Sequence, residues 1–201
     1  MPVIDAQTEK LIKETAMRIF FVEGRLHATT EAIAKEAGIN RGLIHYYFKG
    51  RDKLFAAVFN EAMMMVHNRM KDLFLSKKMS FRKKISSFVE MFIDQNIKYP
   101  YLETFLITEI NREDFKVPAP ITDDLRKQML SSIEEDLKNE IKEGNVPKMS
   151  AEQFILNAIS LCAYPAFAKP MLKQMMNIDE KAYHKMIQER KNLIIKVLFR
   201  D

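Results

Sequence analysis

Between Thr29 and Phe48 the chain carries two short apolar-periodic stretches separated by Ala37-Gly38-Ile39-Asn40. Thr29 is placed to cap the first stretch with its hydroxyl, and Ile33, Ala34 and Ala37 form its buried stripe. Gly38 supplies the left-handed backbone that most side chains resist. Ile39, just past it, folds back onto Ile33 and Ala34, and Asn40 caps the second stretch. The spacing predicts helices over Thr30–Ala37 and Arg41–Phe48, joined by a turn of three or four residues containing glycine. That is the sequence form of a helix-turn-helix.

The second of these helices is two-faced. Ile44 and Phe48 point inward; Arg41, Gly42, His45 and Tyr46 fall on the opposite side, with Leu43 near the boundary and Tyr47 nearer the buried side. A glycine in a first turn is locally unfavourable by up to about 1 kcal/mol against alanine. Gly42 therefore reads either as a point of close backbone approach to a duplex or as a tolerated surface residue. Within residues 39–53, Arg41, Lys49, Arg51 and Lys53 face Asp52 alone, a net of +3 in a chain whose total is +5. Taken singly, each of these residues is an ordinary surface or packing residue. Turn, caps, exposed aromatics and focused charge together point to a polyanionic partner, namely double-stranded DNA.

The remainder reads as helix almost throughout. A first helix is expected over 6–23, with Leu11, Ile12, Ala16, Ile19 and Phe20 on its apolar face and Gly24 as its stop. A long helix runs from about Asp52 to Leu75, one opened by Ser80 ends near Lys98, and Tyr99-Pro100 forces a boundary. A helix over 101–111, a loop over 113–120 with Pro118 and Pro120, and a helix over 123–143 closed by Gly144 follow. Ser150-Ala151-Glu152-Gln153 is a capping box; Pro165 and Pro170 should kink or end the helix it opens. Asp179 caps a last helix to about Phe199. With 5 Gly among 201 residues there is little material for sheet turns. The expectation is an all-α chain of about nine helices, divided into a DNA-binding part over 1–50 and a helical regulatory and dimerisation part over 51–201.

Residues 29–54 also resemble the N-terminal domain of the TetR family of bacterial transcriptional regulators. The resemblance is carried by Phe20, Gly24, Thr29-Thr30, Ile33-Ala34, Ala37-Gly38-Ile39-Asn40, Arg41-Gly42, Tyr46-Tyr47-Phe48-Lys49 and Leu54, and covers roughly residues 6–56. It implies an N-terminal three-helix domain followed by a larger helical domain. It also implies that Thr30, Tyr47 and Lys53 contact phosphate and that Arg41, Leu43, His45 and Tyr46 face the groove, with Thr29, Asn40, Gly42 and Lys49 completing the interface. Two departures stand out. Leu43 occupies a place where a small polar residue is common, and Glu31 one where a basic residue sometimes touches DNA.

The resemblance further implies a homodimer on a pseudo-palindromic operator and an inducer pocket among the later helices. Tyr183, Ile187, Arg190, Ile194 and Val197, with Ile155 and Ile159 on the capping-box helix, form stripes that suit a dimer face. Periodicity alone favours their packing within one chain. Phe88, Met91, Phe92, Phe105, Phe154, Cys162, Tyr164, Phe167 and Met171 are candidates to line a pocket for a small, largely apolar effector; plain core is the competing reading. Met adapts its shape and suits such sites.

Enzymatic chemistry finds no support in the residues. His27, His45, His67 and His184 lack metal-ligand spacing, no phosphate-binding glycine loop or serine elbow occurs, and Cys162 sits in an apolar stretch. No cofactor is expected. Charges interrupt every apolar run near the start, and none reaches the roughly 20 residues of a membrane span. The chain reads as soluble and cytoplasmic, with no membrane partner. The expected function is a ligand-released repressor. The alternative is a helical small-molecule sensor that uses its N-terminal motif to touch protein instead of DNA.

Overall fold

The structure, a computed structural model, describes residues 5–110 and 122–200. Among these residues it is all helix: α1 (Ala6–Met17), a π-helical turn (Arg18–Val22), α2 (Thr30–Ala37), α3 (Arg41–Phe48), α4 (Arg51–Phe74), α5 (Phe81–Lys98), α6 (Leu102–Ile110), α7 (Asp123–Lys142), α8 (Ala151–Phe167), α9 (Lys169–Met176) and α10 (Glu180–Leu198). The expected loop over 113–120 lies outside the described residues. No single described helix is long and apolar enough to cross a membrane.

The chain forms two compact units, Met1–Val66 with Tyr99–Pro120, and His67–Lys98 with Ile121–Asp201. In the first unit α1 does not run unbroken to Glu23. The Glu23 N–H donates to the Arg18 carbonyl, five residues back. This widened turn brings three successive side chains, Ile19, Phe20 and Phe21, into the core. Leu11, expected on the apolar face, is instead 42% exposed. The core continues through Ile33, Ile44, Leu54, Phe55 and Phe59 and is closed by Leu102 and Phe105 of α6. The unit therefore extends beyond residues 1–50.

The return of the chain at α6 is fixed by backbone contact. The Tyr101 N–H donates to the Phe21 carbonyl at 3.1 Å. Gly24 has φ +70°, and a Cβ there would stand 2.8 Å from the Tyr101 ring. Both the left-handed backbone and the close ring require glycine at this position.

The second unit packs α5, α7, α8 and α10 around Phe81, Phe88, Val89, Ile133, Phe154, Ile187, Ile194 and Phe199. Lys84 lies inside it, donating to Asp136 at 2.7 Å and to the Phe74 carbonyl at 3.2 Å. Ser132 Oγ donates to the same carbonyl at 2.8 Å, so the end of α4 is held by α5 and α7 together. Pro165 does not end its helix. α8 passes through it to Phe167, and the break falls at Ala168, where α9 leaves at 74° with Pro170 in its first turn. A proline is tolerated in that first turn because the N–H it lacks would have no helical partner there. The additional helix α9 raises the total to ten among the described residues.

Candidate functional site

The predicted caps are formed. The Ala32 N–H donates to Thr29 Oγ1 at 3.2 Å and the Gly42 N–H to Asn40 Oδ1 at 2.7 Å, each cap contributing about 1 kcal/mol. Gly38 has φ +65°. The Ile39 N–H returns to the Ala34 carbonyl at 3.0 Å, which closes α2 and lays the Ile39 side chain against the core. α3 follows with Ile44 and Phe48 buried.

With that anchor, α3 presents Arg41, Gly42, His45 and Tyr46 to solvent, and Leu43 and Tyr47 are half-buried at its flanks. Tyr46 and Tyr47 meet edge to face with ring centres 5.2 Å apart. The Tyr47 hydroxyl lies 3.4 Å from the Asp5 carbonyl, toward the chain's own backbone. Lys49, at φ +59°, folds back so that Nζ donates to the Tyr46 carbonyl at 3.2 Å. Lys53 and Thr29 are exposed. Thr30, Asn40, Arg41, Gly42, His45, Gly50 and Arg51 line one shallow concavity. A Cβ at Gly42 would meet the capping oxygen of Asn40 at 3.1 Å, so a side chain there would press the cap aside by a few tenths of an ångström.

Arg51, one of the four cations of the 39–53 window, points inward. Its guanidinium donates to the Leu26 and Ala28 carbonyls and stands 5.6 Å and 5.5 Å from the ring centres of Phe20 and Phe55. The outward charge of residues 39–53 is correspondingly smaller. Behind α2, Glu36 is bound by Arg18 at 3.1 Å and by Arg25 at 3.2 Å. The hydrogen bond from Arg18, then that from Arg25, holds its carboxyl below the usual range.

The candidate pocket residues separate. Phe88 and Phe154 line an apolar cavity in the second unit, together with Met70, Phe74, Ile85, Arg126, Met129, Leu130, Ile133, Ile155, Ala158 and Ile159. Met91 and Phe92 pack half-buried against the core of that unit. Phe105 belongs to the core of the first unit. Tyr164, Phe167 and Met171 are exposed, and Cys162 is buried with its thiol pushed up to about 12 by burial. Apolar periodicity does not separate a cavity wall from solid core, so Phe74, Met129 and Ile133 carried no signal of their own.

The candidate dimer residues separate as well. Tyr183, Ile187 and Ile194 lie in the chain's own core, with the Tyr183 hydroxyl on the Pro165 carbonyl. Arg190 Nε donates to the Leu161 carbonyl at 3.0 Å. Ile155 and Ile159 line the cavity. Only Val197 of the α10 set is exposed, at 68%. Leu156 on α8 and Leu193 on α10 are further exposed apolar residues of those two helices.

Residues 12–58 match the family described as bacterial regulatory proteins, tetR family. The N-terminal part of the chain is thus similar to that family. The chain is 30% identical over 82 residues to the HTH-type transcriptional regulator PksA of Bacillus subtilis, a match covering 41% of this chain and 40% of PksA. It is 33% identical over 52 residues to the HTH-type transcriptional regulator TtgW of Pseudomonas putida, covering 26% of this chain and 39% of TtgW. The match thus spans about two fifths of these curated relatives. Among solved structures, the hemolysin II transcriptional regulator HlyIIR superposes with a TM-score of 0.62 at 20% identity, over 97% of this chain and 98% of that one. FadR from Bacillus subtilis, solved in complex with stearoyl-CoA, superposes with a TM-score of 0.61 at 16% identity, over 92% and 97%. A Haemophilus influenzae TetR-family regulator gives 0.56 at 15% identity, over 92% and 95%. These last three are similar to this chain in fold.

Proposed function

We propose that the protein is a cytoplasmic, dimeric repressor that reads operator DNA with α3 and leaves it when a small, largely apolar molecule binds the second unit. The observation that carries this reading is the arrangement of α3. Ile44 and Phe48 fix the helix from beneath, and Arg41, His45 and Tyr46 stand outward on one side. A helix anchored this way can enter a major groove, where the Arg41 fork suits guanine O6 and N7. Thr30, Tyr47, Lys49 and Lys53 lie where phosphates would flank the groove. For Tyr47 this requires its hydroxyl to exchange the Asp5 carbonyl for a phosphate oxygen.

Two such helices on one duplex need a pair of subunits with half-sites about one helical turn apart. Leu156, Leu193 and Val197 are among the exposed apolar residues of α8 and α10 and support pairing through those helices. The cavity supports the ligand-responsive half of the reading, and FadR, a neighbour in fold, was solved with stearoyl-CoA. Release then requires only that the ligand bind the conformation incompetent for DNA more tightly than the competent one.

The test is a gel shift with the DNA upstream of the protein's own gene. Arg41→Ala should weaken binding at least tenfold, and Lys53→Gln should lower the slope of log affinity against log salt by about one. Equal binding by wild type and both variants would count against α3 as the reader.

A further inference from the structure

The cavity of the second unit has a size, a lining and one charge at its mouth, and together these specify a ligand class. Its floor is Phe74, Phe88 and Phe154, each at most 4% exposed. Its rim includes Leu130 and Ile159, exposed at 36% and 39%, and the stem of Arg126. The volume is about 190 Å³. An apolar cavity of about 150 Å³ takes a guest the size of benzene, so a space of this order accommodates about six carbons. The lining offers no hydrogen bond, so a polar body inside it would lose its hydration without compensation. A short aliphatic chain loses nothing by entering.

Arg126 lies in the first turn of α7. Its guanidinium binds Asp123 at 2.7 Å, and both side chains are more than half exposed. An exposed pair of this kind is weak and exchanges readily. Arg126 can keep its apolar stem against the cavity while its charged head turns in solvent. A carboxylate arriving on the end of a chain held in the cavity can therefore displace Asp123 and take two parallel N–H bonds from the guanidinium.

We propose that this cavity binds a straight-chain aliphatic carboxylate, with about six carbons of tail over Phe88 and Phe154 and the carboxylate on Arg126 in place of Asp123. The proposal rests on the ligand-responsive reading above and names its ligand class. Head charge is set by Arg126, and chain length by the depth to Phe154.

The experiment is calorimetric titration of the full-length protein with octanoate, 1-octanol and octylamine. Octanoate carries six carbons beyond its carboxylate and α carbon. Octanoate should bind at least tenfold more tightly than octanol, and octylamine most weakly. Arg126→Gln should bring octanoate down to the affinity of octanol while leaving octanol unchanged. Asp123→Asn should tighten octanoate several-fold, because it removes the internal competitor for the guanidinium. Both positions are exposed, so neither variant threatens the fold. Equal binding of octanol and octanoate, an unchanged octanoate affinity in Arg126→Gln, or no binding of any of the three would overturn the proposal. Duplex binding in the gel shift without octanoate binding overturns only this assignment and leaves the regulator standing. Octanoate binding of the expected pattern by a protein that shifts no duplex supports the cavity chemistry and sinks the regulator.

Discussion

The guanidinium carbon of Arg51 stands 5.6 Å from the centre of the Phe20 ring, and the same group donates to the Leu26 and Ala28 carbonyls. Arg51 therefore ties the start of α4 to the π-helical turn and to the loop before α2. Charge-assisted hydrogen bonds to partly buried carbonyls are each worth about 1.5–3 kcal/mol. Arg51→Ala should destabilise the protein by about 2 kcal/mol in urea unfolding, and Arg51→Lys should recover less than half, because an ammonium lacks the planar fork. A full recovery by lysine would show that charge alone is at work.

Lys84 and Asp136 form the second internal tie. The Lys84 side chain is 4% exposed and Asp136 29%. Lys84→Ala strands the Asp136 carboxylate, leaves the Phe74 carbonyl to Ser132 alone and should cost about 3 kcal/mol. Replacing both partners, as Lys84→Met with Asp136→Leu, should cost far less than the single change, because no charge is then stranded. Denaturant midpoints of the two variants check this.

Glu103, in the first turn of α6, has its carboxyl pushed up to about 7 by burial, against an ordinary value of 4.5. Between those values the folded chain holds a proton that the unfolded chain has lost, so stability falls as pH rises. The loss begins near pH 4.5, is complete above about pH 7, and is absent below 4.5, where both states are protonated. Glu103→Gln should flatten this decline and raise the melting temperature at about pH 8 while leaving it unchanged at about pH 4. Melting curves across that range test the sign.

Cys162 is 3% exposed, and burial pushes its thiol up to about 12, against a smaller opposing effect of Arg190. The thiolate is the reactive form. At about pH 8 the native protein should react with an aromatic disulfide reagent orders of magnitude more slowly than the protein in urea. Rapid native labelling would show that α8 opens around it.

The helix-turn-helix was legible because its determinants are local. Thr29, Gly38 and Asn40 act within a few residues of their own positions, and Ile44 and Phe48 declare their face by spacing. The direction of Arg51 was not legible, since its partners Leu26 and Ala28 are more than twenty residues away and offer only backbone carbonyls. Lys84 is buried for the same kind of reason; its counter-charge lies 52 residues on. The α10 stripe is a different case, since its spacing favoured packing within the chain and the resemblance alone pointed to a dimer face. Tyr183, Ile187 and Ile194 recur at helical steps, but periodicity says only that one face is covered, and here the chain's own α8 and α5 cover it. Pro165 shows a limit of a local rule: proline removes one N–H, and α8 continues past that gap before it breaks at Ala168.

The seating of Leu102 and Phe105 beneath Phe21 and Phe55 has a consequence for anyone transplanting the helix-turn-helix unit. A graft cut after Val66 would carry α3 but abandon two of the hydrophobes that seal the module from below, and its phenylalanines would meet water. A transplantable cassette must be discontinuous, carrying the segment around α6 along with the leading helices.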